Sequence, residues 1–187
     1  MLMNLQLSET VLSAVPGDGR SVAALVTQFS KLPGGRVTAA QLERYRRTVY
    51  EVSGAYGGVT HELGEGRLLS LFVAQAVGQA LRAALALRAR LDALNCASEE
   101  KMLTPSFRIG IGLHKSITHH AASLAAAVSQ AASLSTLNQQ APFPALFVSE
   151  ETVRELPETH GYHVHDLGEV LLPEQPRPLS VFALMRA

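Results

Sequence analysis

The sequence predicts an α+β domain: an antiparallel sheet with helices packed on it. Three observations predict it. Residues 21–29 (SVAALVTQF) form a continuous apolar run of strand length, the pattern of a central strand covered on both faces. Residues 58–73 read as strand, tight glycine turn, strand: Val59, His61 and Leu63 alternate with Thr60 and Glu62, and apolar residues resume at Leu69, Leu71 and Phe72 after Gly64-Glu65-Gly66. Two stretches of helical period, 38–55 and 74–94, flank that hairpin.

The elements follow in order. Pro33-Gly34-Gly35 stops the first strand. Thr38 and Gln41 stand at capping-box spacing, and Leu42, Tyr45, Val49, Val52 and Tyr56 follow at helical intervals, so 38–55 is an amphipathic helix. In the second helix, 74–94, Val77, Leu81, Leu85, Leu91 and Leu94 fall near one face. Residues 95–104 are a polar connection. Residues 107–113 (FRIGIGL) alternate as a strand that puts Gly110 and Gly112 on one face. Residues 121–137 form a helix of Ala, Ser, Val, Leu and Gln, whose small side chains let another backbone approach closely. A strand at 145–148, a short helix at 150–156, and strands at 162–167 and 179–184 complete the chain. The first six elements make a βαββαβ unit.

Composition narrows the function classes. A chain of 187 residues with 47% apolar content buries a core without staples. Sixteen basic residues balance sixteen acidic ones, so no electrostatic argument favours nucleic acid or an anionic membrane surface. Cys96 is the only cysteine, which rules out an intrachain disulfide and makes a reducing, cytoplasmic compartment the expectation. The first ten residues lack the basic start of a signal peptide. Arg82, Arg88 and Arg90 interrupt the longest apolar stretch, 80–91, so direct membrane insertion is not expected. Residues 1–20, ending in Pro16-Gly17-Asp18-Gly19, read as a leader, and 21–187 as the domain.

Four landmarks in order carry a resemblance: the first strand, the Gly-Glu-Gly hairpin, FRIGIG, and the tail DLGEVLLPEQPRPLSVFAL. Together they resemble the catalytic domain of class III adenylate/guanylate cyclases, over roughly residues 21–185. The resemblance implies a ferredoxin-like βαββαβ core of the cyclase type. The signature of the diguanylate cyclases is absent, because Val59 follows Gly57-Gly58.

In this family a ribose 3′-hydroxyl attacks the α-phosphate, assisted by two metal ions on two Asp carboxylates and by an Arg on the developing charge. Carried over position by position, the resemblance places Gln28 at the first Asp and Glu65 at the hairpin Asp. Val128-Ser129-Gln130-Ala131-Ala132-Ser133-Leu134 lies on the family's Val-Asn-x-Ala-x-Arg-Leu pattern, so Ser129 replaces the Asn and Ser133 the Arg. His61 stands at a base-selecting Lys, and Ala122 falls near the second base-selecting position. Family sites form between two subunits, one giving the carboxylates and the other giving Asn and Arg. Both sets are altered here, so neither shared site of a heterodimer would be intact.

The resemblance therefore implies a degenerate, non-catalytic cyclase-like domain acting as a dimerisation or regulatory module in intracellular signalling. Its partner would be a second copy or another cyclase-like or signalling protein. Two alternatives stay open: a purine nucleotide cyclase with a rearranged site around Glu65, and a nucleotide or small-ligand sensor with a vestigial groove at His61 and Glu65. No cofactor is expected, Mg or Mn entering only alongside residual nucleotide binding.

Other candidates have plainer readings. His163 and His165 share one face of a predicted strand, and His114, His119 and His120 cluster near a strand end, but no Cys or carboxylate stands at a metal-ligand spacing. No metal site is expected, and these histidines read as surface or hydrogen-bonded groups. Arg44, Arg46 and Arg47, like Arg82, Arg88 and Arg90, read as solvated helix faces. Gly17-Asp18-Gly19-Arg20 lacks the Lys-Ser/Thr pair of a phosphate loop. Ser123, Ser129, Ser133 and Ser135 have no His/Asp partners at a strand-to-helix elbow.

Overall fold

The computed structural model of the chain describes residues 21–64, 66–73, 76–97, 107–117, 121–140, 145–156, 162–172, 175 and 177–186. The expected leader, Glu65, His119 and His120 lie outside them. Within the described residues the elements follow in the order β1 (Ser21–Lys31), α1 (Ala39–Ala55), β2 (Val59–Gly64), β3 (Arg67–Val73), α2 (Ala76–Ala97), β4 (Phe107–Ile117), α3 (Ala121–Gln140), β5 (Leu146–Ser149), α4 (Glu150–Val153), β6 (Tyr162–Val170) and β7 (Leu179–Arg186).

The strands form one seven-stranded sheet in the order β2-β3-β1-β4-β5-β7-β6. Its first four members give the order expected of a βαββαβ unit, with β1 in antiparallel register between β3 and β4. The antiparallel expectation holds except at β4–β5, which pair in parallel over two positions only. There the chain reaches β5 by way of α3, and a parallel neighbour requires such a crossover. Asn138 of α3 reinforces the join: its side-chain oxygen accepts from the Ile111 N–H and its amide donates to the Ala145 carbonyl, both at 2.8 Å.

The sheet separates two cores. On one face, Ala23, Leu25 and Phe29 of β1 and Ile109, Ile111 and Leu113 of β4 meet Tyr45, Val49 and Val52 of α1 and Ala80, Leu81, Ala84, Leu87 and Leu91 of α2. On the other, α3 lies across the sheet, with Val22, Ala24, Val26, Leu69 and Leu71 packed on Leu124, Val128 and Ala131. Farther along, Leu134 meets Phe147, Val181 and Ala183. Both faces of β1 are thus covered, as its unbroken apolar run requires.

Local chemistry sets the ends. Thr38 caps α1, with its hydroxyl accepting from the Gln41 N–H and the Gln41 side chain accepting from the Thr38 N–H. The hairpin turns on Gly64 (φ 81°) and Gly66 (φ 74°), a backbone region that favours glycine. Arg88 departs from the expected solvated helix face. Its guanidinium holds Asp92 and donates to the Ile109 carbonyl at 3.0 Å, tying α2 to β4. No helix among the described residues is long and apolar enough to cross a membrane.

Candidate functional site

The residues aligned with a cyclase site divide between β1–β3 and α3. Gln28 lies near the end of β1, directly opposite Arg67 on β3 and Gly110 on β4. Strand alternation puts it on the α3 face with Val22, Ala24 and Val26. Its side-chain carbonyl oxygen is already engaged. It accepts from Thr136 Oγ1 at 3.0 Å and from Ser135 Oγ at 3.4 Å. The Gln28 main-chain carbonyl accepts from Gln139 Nε2 at 2.8 Å, and Ser30 Oγ donates to Gln139 Oε1 at 3.0 Å. The end of β1 is thus bound to the last turns of α3 by a chain of neutral hydrogen bonds.

The hairpin is tied to the other face. The Gly66 carbonyl accepts from the Phe29 N–H at 3.0 Å and from the Tyr45 hydroxyl at 3.1 Å. Tyr45 also shares a 2.8 Å bond with Thr27 Oγ1, and burial pushes its pKa up. Gly66 of the turn is therefore fixed to β1 and α1.

His61 lies on β2 opposite Leu69, hence on the α3 face. It is half-buried, and its Nε2 is buried without a hydrogen-bond partner among the described residues. A buried polar nitrogen left unpaired carries a desolvation cost. Val59, two residues earlier on the same face, is 54% exposed, so α3 leaves this edge of the sheet uncovered.

Ser129 and Ser133 sit one turn apart on α3. Gln175, in the segment between β6 and β7, donates to both hydroxyls at 3.1 and 3.3 Å. Ser133 in turn donates to the Ser129 carbonyl at 3.0 Å. Ala122 is exposed near the start of the helix.

Small residues draw α3 onto the sheet. A Cβ on Gly110 would stand 1.9 Å from the Ser135 carbonyl oxygen, and one on Gly112 would stand 2.2 Å from that of Ala131. The glycines let helix backbone touch strand backbone, which brings Ser135 and Thr136 within reach of Gln28.

Arg67, Gln175 and Thr136 are not among the candidates that the sequence pattern marks, and Ser135 is marked there only as one of four serines without triad partners. Arg67 had a signal: it is the one charge opening an apolar strand, RLLSLFV, directly after the glycine turn. It is 7% exposed. The long-range hydrogen bonds of Gln175 left no mark in the local pattern.

Among the described residues, the aligned position Gln28 does not fit the metal pair of cyclase chemistry. Ions of the Mg and Mn class are held by anionic oxygen ligands. Gln28 offers a neutral amide oxygen already engaged by two hydroxyls, and no group of three or more His, Cys, Asp or Glu among the described residues is placed to hold a metal. His163 and His165 do stand together on β6, exposed and with ring centroids 6.5 Å apart, and no third ligand joins them among the described residues. His114 is buried and bonds Ser149 Oγ through Nδ1 at 2.8 Å. Burial lowers its pKa to about 4, against the opposing pull of Glu151. Ser149 is fully buried, so the pair has no opening for a substrate.

No protein-family model matches the sequence, and no curated protein matches it. Solved structures do match. The adenylyl cyclase CyaB from P. aeruginosa superposes with a TM-score of 0.68 at 13% identity, covering 90% of this chain and 95% of that one. The guanylate cyclase domain of RhGC from Catenaria anguillulae, solved in complex with GTP, gives 0.67 at 12% identity over 90% and 97%. An adenylate/guanylate cyclase/hydrolase from Silicibacter pomeroyi gives 0.62 at 19% identity over 89% and 96%. The chain thus has the fold of the class III cyclase catalytic domain over most of its length.

Proposed function

We propose that this cyclase-fold domain does not cyclise nucleotides and acts as a dimerising, regulatory module in cytoplasmic signalling. One observation carries the reading: three polar side chains at the aligned cyclase positions are committed within the chain. Gln28 is held by Ser135 and Thr136, and Ser129 and Ser133 are held by Gln175. Groups that bind a phosphate or a metal must present free donors or anionic oxygens. These positions offer neutral groups turned to neighbours.

Two uncovered regions support a partner. One is the β2 edge with Val59; the other is β6, where Val164 and Leu167, with Leu171 just beyond, are 43%, 39% and 69% exposed. Both strands are sheet edges, and an edge strand presents unpaired backbone groups to a neighbour. The partner is a second copy or another chain of the same fold.

A second reading has its own observation. The unpartnered Nε2 of His61 is a group that a purine base or small ligand would satisfy, which favours a sensor that biases the dimer. Sedimentation equilibrium of the whole chain, with and without ATP or GTP, separates the two. Reversible dimerisation insensitive to nucleotide supports the module, and a nucleotide-shifted dimer supports the sensor. A monomer at every concentration, alone and with nucleotide, contradicts self-association by either route.

A further inference from the structure

We propose that His163 and His165 form half of a transition-metal site, completed by the same two residues of a second copy paired along β6. The second copy rests on the reading of this chain as a dimerising module. The two histidines stand two residues apart on one strand, so their side chains share a face. Both are exposed, with ring centroids 6.5 Å apart. A tetrahedral ion bound by two imidazole nitrogens at about 2.1 Å holds the ring centres roughly 5 Å apart. Modest side-chain rotation at exposed positions closes that difference. Imidazole suits ions of the Zn, Ni and Cu class, whereas Mg takes oxygen ligands.

Three features of β6 point to a second copy as the source of the other two ligands. First, β6 is the last strand in the sheet order, and an edge strand offers its backbone groups to another. Second, its regular pairing with β7 runs from Tyr162 to Asp166 and is broken by an irregularity between Asp166 and Glu169. Val164 is the midpoint of that regular segment. Antiparallel pairing of two such segments about a two-fold axis at Val164 sets each His163 opposite the His165 of the other copy. Directly opposed residues share a face, with Cβ atoms about 5 Å apart, so four imidazoles gather on one face. Third, Val164 on the other face is 43% exposed and paired with the core residue Leu184. In the paired strands it meets its own counterpart and continues the apolar core across the contact. One chain holds only half of the ligands, so spacing within the sequence does not mark the site.

The test is zinc binding and self-association of the whole chain in EDTA, Zn²⁺ or Mg²⁺. Sedimentation velocity over a range of concentrations reads association, and calorimetric titration reads stoichiometry. Zn²⁺ should tighten dimerisation at least ~10-fold at one ion per two chains, and Mg²⁺ should leave it unchanged. The double variant His163→Gln/His165→Gln, at two exposed positions and with its fold checked by circular dichroism, should lose both the bound zinc and the shift. Val164→Lys keeps both histidines but sets like charges opposite one another at the two-fold axis, and should lose the shift. No zinc bound by the parent, equal zinc binding by the parent and the double variant, or one ion per chain without association would overturn the shared site. An undiminished shift in Val164→Lys would overturn the strand pairing. A dimer in EDTA that ignores zinc would sink the metal site alone. Formation of cyclic nucleotide by the parent would instead sink the functional reading, so the two failures are distinguishable.

Discussion

The two faces of the sheet are held by different physics. The α1/α2 face is a conventional apolar core in which Leu25, Phe72, Leu87, Leu91 and Leu113 interdigitate as bulky side chains. The α3 face is built on near-contact of backbones at Gly110 and Gly112 and closed by a polar chain through Gln28, Ser135, Thr136 and Gln139. The first depends on volume and hydrophobicity, which many sequences satisfy. The second depends on geometry, and the residues aligned with a catalytic site belong to it.

The sharpest way to break that comparison is a single methyl group. Gly112→Ala places a Cβ against helix backbone that no rotamer change can move, and a loss of about 4 kcal/mol, or of folded protein altogether, is expected in denaturant titration. Leu87→Ala, at an equally buried position of the other face, should cost about 3 kcal/mol and keep the fold, since its neighbours can partly close the cavity. A larger loss for Leu87→Ala than for Gly112→Ala would reverse the ranking of the faces.

The α3 side of β4 also carries the acid-sensitive group. His114 is neutral in the folded chain down to about pH 4, whereas in the unfolded chain it gains its proton near pH 6.5. The unfolded state therefore binds more protons as pH falls through that window. The resulting stability is complete above pH 6.5 and lost progressively toward pH 4, by about 3 kcal/mol. Thermal melts across pH 4–7 should show this slope, flattened in His114→Gln. A smaller effect belongs to the hairpin: Tyr45→Phe removes the bonds to Thr27 and the Gly66 carbonyl and should cost about 1–2 kcal/mol, seen as a lowered denaturation midpoint.

Much of the fold was legible in the chain because its signals are local. The Thr38–Gln41 cap, the Gly64/Gly66 turn and the alternation of FRIGIG each declare themselves within a few residues, and their order gave the βαββαβ unit. The small residues of α3 forecast its close approach to another backbone; that it would lie on the opposite face from α1 and α2 did not follow from its own pattern. The parallel β4–β5 join depends on the side chain of Asn138 reaching two strands, a long-range event. The site was legible as a set of substituted positions. What those substitutions do, with Gln28 turned into α3, Gln175 held over Ser129 and Ser133, and Arg67 buried opposite Gln28, depends on contacts made across tens of residues. Arg88 looked like one more exposed arginine until Asp92 and the Ile109 carbonyl came within its reach.

The most direct test of the central claim is cyclic-nucleotide formation from ATP and GTP with Mn²⁺, followed by mass spectrometry at high protein concentration, for the parent and Glu65→Ala. No cyclic product from either protein is the predicted result. Product from the parent that disappears in Glu65→Ala would contradict the account and establish a rearranged site at the hairpin as the seat of the chemistry.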